Sequence, residues 1–199
     1  MPEIADVIVS GLIFKSVTIP IVSISGSSMI QNKMSDKTKE RMRGKQTGQP
    51  NSGRQPKDIE ALYLGSLHPK NPVTGNYTFP GWGFQKAITE APRFDDNLKM
   101  NAMRQSITVD SEYIDIIGEP QMREDLVKIG RGSADLAYRG EFLKWSAVLP
   151  ITYNSAAISL EQLVGLVNIA GWCIGVGSWR PGSSAGGMHG KFRIAREGE

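Results

Sequence analysis

DLVKIGRGSADLAYRGEFLKWSAVLPITYN, residues 125–154, decides the fold. Leu126–Ile129, Ala134–Tyr138 and Lys144–Tyr153 are rich in branched and aromatic side chains, which suit a half-buried pleated surface. Gly130–Gly132 and Gly140 punctuate them, so the stretch predicts three short strands in an antiparallel meander. Directly after it, Ser159-Leu-Glu-Gln is a capping box, in which the Ser hydroxyl and the Gln side chain satisfy each other's helix-end N–H groups. Leu160, Leu163, Val164, Val167 and Ala170 then line one helical face, and the helix is expected to stop at Gly171.

Outward from there, the N-terminal stretch is rich in Val, Ile and Thr and predicts strands over Val7–Phe14 and Ser16–Ser23, with Gly26-Ser27-Ser28 as a loop. Ser35 is placed to cap a short basic helix, residues 36–43. Residues 44–56 contain no apolar side chain and predict a flexible excursion. Order resumes at Ile59, and Pro69–Gly75 form a turn region. Helices are expected over Phe84–Ala91 and Asp95–Met103, with Trp82 and Phe84 as core anchors. Short strands follow at Ser106–Val109 and Tyr113–Ile117, and a last one at Lys191–Ala195. The class this implies is α+β: one domain over residues 1–199, an antiparallel sheet with helices on one face, carrying a long basic insertion at 33–57. The element order is compatible with a ferredoxin-like core.

The net charge of +3 conceals an asymmetry. Residues 33–57 hold eight basic side chains against Asp36 and Glu40, whereas 110–141 hold eight acidic ones against four basic. Such a split favours a polyanionic partner at one surface and head-to-tail self-association. The single cysteine, Cys173, excludes an internal disulfide framework and reads as a buried structural thiol. No secretory leader and no apolar run long enough for a membrane span is visible, which points to a cytoplasmic protein without a membrane partner.

The richest functional signal is Gly175–Arg193, GVGSWRPGSSAGGMHGKFR. Glycines let backbone approach a ligand, and successive N–H groups in such turns form anion-binding concavities. Arg180, Lys191 and Arg193 add charged donors, Trp179 a stacking face, and His189 a phosphate hydrogen bond. The expected nucleic-acid-binding residues are therefore Gly175, Gly177, Trp179, Arg180, Gly187, His189, Lys191 and Arg193, joined by Lys37, Lys39, Arg41, Arg43, Lys45 and Arg54 of the basic insertion. The spacing fits neither a phosphate loop ending in Gly-Lys-Ser/Thr nor a dinucleotide fingerprint. No metal-ligand spacing, cofactor motif or nucleophile elbow is present, and His68 is left unassigned. His189 is the one side chain placed to act as general acid or base.

Ile24-Ser-Gly-Ser-Ser-Met-Ile with Met34-Ser-Asp-Lys, Glu119-Pro-Gln-Met-Arg-Glu-Asp and Ile174-Gly-Val-Gly-Ser-Trp-Arg-Pro resemble motifs of a conserved, largely uncharacterised family of bacteriophage proteins, along nearly the whole chain. More distantly, the late glycines Gly175, Gly177, Gly186, Gly187 and Gly190 and the basic insertion resemble the RAMP superfamily, the ferredoxin-like backbone subunits of CRISPR effector complexes. That resemblance implies RNA binding along a sheet face as a helical filament.

Three functions follow as expectations. The first is a phage-encoded, non-catalytic protein that binds single-stranded RNA or DNA as a repeating homo-oligomer. The second is a structural or interaction protein, a virion component or an inhibitor of a host defence complex. The third is an RNA-cleaving RAMP-like enzyme that uses His189.

Overall fold

A computed structural model describes residues 4–9, 12–33, 58–129, 133–184 and 186–195. In chain order the elements are β1 (Ile4–Val9), β2 (Leu12–Gln31), α1 (Ile59–Ser66), β3 (Tyr77–Pro80) and α2 (Gly81–Glu90). A 3-10 turn (Ala91–Phe94) leads to α3 (Met100–Ser106), β4 (Ile107–Val109), β5 (Tyr113–Ile116), β6 (Pro120–Ile129) and β7 (Ser133–Asn154). Last come α4 (Leu160–Ile169), a π-helical turn (Ala170–Ile174) and β8 (Lys191–Ile194). The architecture is α+β, with four α-helices among the described residues and an antiparallel main sheet.

Two long strands organise that sheet. β2 and β7 pair antiparallel from Ser16–Asn154 to Gln31–Gly140, with a bulge between Ile19 and Val22. Pro20 sits in that bulge, where a residue without an N–H does least harm to a ladder. The other edge of β2 carries β1 near its start and β8 over Ile24–Ser27. The other edge of β7 carries β6 near its start and β4 near its end. Strand order is therefore β8–β2–β7–β4, and the β1–β2 and β6–β7 hairpins run beyond opposite ends of the central pair.

Side-chain alternation shows which face is covered. Trp145, Ala147, Leu149, Ile151 and Tyr153 are buried, and they share one core with Phe84, Ala87 and Ile88 of α2 and Leu163, Leu166 and Val167 of α4. Phe84, Trp145 and Phe192 meet at its centre with ring centroids 5.9–6.2 Å apart. Gly26 lies under Trp145, where a Cβ would come within 2.6 Å of the indole. Ser159 and Gln162 form the expected capping box at the start of α4.

Several expectations are corrected. Val7–Phe14 is no single strand, because Val9 pairs back onto Leu12. Gly26-Ser27-Ser28 is no loop but strand, held by β7 on one side and β8 on the other. Gly140 does not interrupt β7; it makes room for Leu67, whose Cδ2 would lie 2.1 Å from an added Cβ. In place of a helix over Asp95–Met103, Pro92 falls in the 3-10 turn and the helix starts at Met100. Leu160 and Val164 face outward, Leu166 taking their place in the core, because the turn of α4 towards the sheet is set by Leu163 and Val167. Trp82 is 68% exposed, one position off the buried stripe of α2, while Phe84 is fully buried. Cys173 is partly exposed. The expected helix at 36–43 and the excursion at 44–56 lie outside the described residues.

Candidate functional site

In a strand, successive side chains point to opposite faces, so a one-residue irregularity swaps the faces. β2 and β7 both swap at Ser28. Gly26 and Trp145 face the core before it; Met29 and Phe142 face the core after it, with the register unchanged. Ser28 has φ +52°, a left-handed conformation that is costly for a residue with a Cβ. Beyond the swap, Ile30 and Glu141 are buried on the side opposite the core.

What buries them is the Gly-rich segment. Leaving α4 through the π-helical turn, the chain runs beside β2: Ser178 N–H donates to Ile30 O and Gly190 N–H to Ser28 O, at 2.8 and 3.0 Å. Glycine is required at two points in particular. Gly177 (φ +78°) brings its Cα against Ile30 O, and Gly190 (φ +66°) against Val176 O, where a Cβ would lie 1.7 Å away. Several of the segment's N–H groups are taken within it or by the turn before it. Gly175 donates to Ala170 O, Val176 to Gly190 O, Gly182 to Ile174 O and His189 to Trp179 O. The glycines thus let the segment fold tightly on itself and on β2.

Beneath it lies a polar cluster. Arg123 and Arg139 stand directly opposite each other on β6 and β7, a repulsive pair unless countered. Asp125 and Glu141, 5% and 6% exposed, supply the counter-charges. Arg123 donates to Asp125 at 2.8 Å and to Glu141 at 3.1 Å, and Arg139 Nη1 lies 3.6 Å from Asp125 Oδ2. The hydrogen bond to Asp125 above all, then the one to Glu141, raises the Arg123 pKa above its ordinary value. Both guanidinium groups lie over the Trp179 ring, at 5.5 and 5.1 Å from its centroid. The Ser28 hydroxyl donates to Glu141 and sits 2.6 Å from His189 Nδ1. Ser28, Glu141 and His189 resemble the parts of a hydrolytic site, but the serine stands between the acid and the imidazole rather than at the end of a relay.

On the other side of Gly175–Ser178 a cavity of about 310 Å³ opens. The backbone of Gly175–Ser178 forms part of it, and α2 contributes Trp82, Gly83, Lys86, Ala87 and Glu90. Lys33, His68 and Arg180 complete its charged and titratable lining. Lys33 and Lys86 make no ion pair among the described residues, and Glu90 is countered by Arg93 at 3.8 Å. The cavity is therefore basic, and neither Ser28 nor His189 lines it. The first turn of α2 holds no acidic residue and Pro80 offers no capping side chain; the Gly81 N–H at the helix start donates to Glu112 O at 2.8 Å.

The predicted residues thus divide. Gly175, Gly177 and Arg180 line the cavity. Trp179 and His189 belong to the polar cluster under the segment. Gly187 is exposed, with its Cα against Trp179 O. Lys191 Nζ lies 4.1 Å from the Trp172 ring centroid, and Arg193 Nη1 donates to Ile194 O on β8. Lys37, Lys39, Arg41, Arg43, Lys45 and Arg54 lie outside the described residues. Sequence reasoning missed Trp82, Lys86, Ser28 and Glu141. Trp82, Lys86 and Glu90 at i, i+4 and i+8 mark one helix face and were there to be read; the swap at Ser28 had no signal.

Among the described residues no group of three or more His, Cys, Asp or Glu side chains could hold a metal ion, and no helix is long and apolar enough to cross a membrane. No protein-family model matches the chain, and no curated protein matches it at a significant level.

Proposed function

We propose that this chain binds single-stranded nucleic acid without cleaving it. One observation carries the reading: Lys33, Lys86 and Arg180 converge on a cavity lined by the backbone of Gly175–Ser178 and by the exposed Trp82. Phosphates meet cations there, and bases an aromatic ring, which together make a sequence-tolerant single-strand site. His189 is a clasp rather than a catalyst in this reading, since its Nδ1 is engaged with Ser28 and its ring lies 6.0 Å from Trp179.

The strand order β8–β2–β7–β4, with a helix-bearing crossover on each side of the β6–β7 hairpin, supports a ferredoxin-like and RAMP-like assignment. Assembly as a repeating oligomer along the strand is part of the proposal, supported by two hairpins that run beyond opposite ends of the sheet. A phage origin and a cytoplasmic site of action rest on the resemblance and the composition.

The test is fluorescence anisotropy with labelled oligo(U) and oligo(dT) over a salt series. Three phosphate contacts predict a log–log salt slope of about −2 or steeper. Replacing Lys33, Lys86 and Arg180 together by Gln should flatten it, and absence of binding at low salt refutes the reading.

A second reading, a protein-interaction module, is favoured by Met122, Leu126 and Leu136, exposed apolar side chains on the β6–β7 hairpin. Light scattering that shows large assemblies without nucleic acid, together with no oligonucleotide binding, would select it.

A further inference from the structure

Trp82, Lys86 and Glu90 stand at i, i+4 and i+8 of α2, so all three lie on the one helix face that lines the cavity. At a rise of ~1.5 Å per residue, Lys86 lies about 6 Å along the axis from Trp82. The positions alongside, Gly83 and Ala87, are short and leave the face open. Trp82 is 68% exposed at the start of α2, which leaves most of its surface open beside the cavity. Trp172 is exposed to the same degree, but a lysine covers its face; Trp82 makes no ring or cation contact among the described residues.

The two sides of Trp82 differ in charge. On one side lies the basic cavity. On the other lies a shallow depression of about 390 Å³ lined by Gln85, Thr108, Val109, Asp110, Ser111 and Glu112, where two carboxylates repel phosphate. A strand passing Trp82 is therefore steered towards Lys86 and Arg180.

Resting on the nucleic-acid reading, we infer that the Trp82–Lys86 face of α2 holds one nucleotide unit of a single strand. One base stacks on the Trp82 indole, and the phosphate next to it meets Lys86. A duplex, whose bases are already stacked, cannot use this face.

The experiment compares the wild-type chain with Trp82→Ala, Trp82→Phe and Lys86→Gln, using labelled oligo(U), oligo(dT), an abasic strand of equal length and a duplex. Trp82→Ala should weaken binding to both base-bearing strands roughly 5- to 100-fold while leaving the salt slope and abasic-strand binding unchanged. Trp82→Phe, which keeps a ring, should recover most of the loss, and Lys86→Gln should lower the salt slope by about 0.7. Loss with oligo(U) alone would confine the site to RNA, and loss with oligo(dT) alone to DNA. If the wild type binds strands with the expected salt slope but Trp82→Ala binds as well as it does, or the abasic strand binds as tightly as oligo(dT), the stacking face is overturned and the broader reading stands. If the wild type binds no strand, both fall together.

Discussion

Ser28 and Glu141 lie 113 residues apart in the chain, and the Ser28 hydroxyl donates to the Glu141 carboxylate at the point where β2 and β7 exchange faces. The contact links the left-handed residue of one strand to the buried charge of the other. It also fixes the side of the sheet on which the Gly-rich segment docks. Glu141 and Asp125 together counter Arg123 and Arg139 there, so Glu141→Ala leaves two facing guanidinium groups to share Asp125 alone. The expected loss is about 2–4 kcal/mol, below the full cost of orphaning a deeply buried charge. Urea denaturation measures it. Adding Arg123→Leu to Glu141→Ala should recover part of the loss, because Asp125 then counters Arg139 alone and the repulsion between the two facing guanidinium groups is gone.

Ser28 combines a favourable hydroxyl with an unfavourable backbone. Ser28→Ala keeps φ +52° and removes the partner of Glu141 and His189, for a loss of about 1–2 kcal/mol. Ser28→Gly loses the same hydroxyl but relieves the left-handed strain. It should therefore be the more stable of the two by roughly 1 kcal/mol. Equal unfolding midpoints for the two variants would mean that the strain is absent.

How much could be read from the sequence depended on how local the cause was. The α4 capping box, the β6–β7 hairpin and the terminal strand follow from neighbours a few residues apart, and they were predicted. Gly26 and Gly140 misled, because glycine reads as a chain break when only local propensity is weighed. Here each glycine makes room for a distant side chain, Trp145 and Leu67. The Gly-rich segment was recognised as special, but its glycines serve its own folding onto β2. The cavity depends on Lys33, Lys86 and Arg180, far apart in sequence and joined only by the topology.

Tyr63 gives the fold an alkaline limit. Its hydroxyl donates to Pro120 O at 3.1 Å, and burial first, then the charges of Tyr77 and Glu119, raise its pKa above the ordinary value of 10.0. A raised folded pKa means that the neutral form is favoured in the native state. Its stabilisation is therefore full below pH 10 and is lost as pH rises through the folded value. Thermal unfolding between pH 8 and 11 should show a smaller alkaline decline in Tyr63→Phe than in the wild type.

Gly186 and Gly190 test whether the segment is a tightly built support for the cavity. Both have φ near +65°, so alanine costs each about 1 kcal/mol in backbone conformation. At Gly186 nothing lies within 4 Å of an added Cβ, and the loss should stop there. At Gly190 the Cβ would lie 1.7 Å from Val176 O, the backbone that lines the cavity, and Val176 N–H would lose its acceptor geometry on Gly190 O. Backbone cannot yield as a flexible side chain can, so Gly190→Ala should cost more than about 3 kcal/mol. It should also weaken oligonucleotide binding in whatever fraction still folds, whereas Gly186→Ala should bind as the wild type does. Denaturation midpoints and anisotropy titrations on the two variants separate a support from a passive loop: if Gly190→Ala matches Gly186→Ala in both, the segment does not hold the cavity in shape.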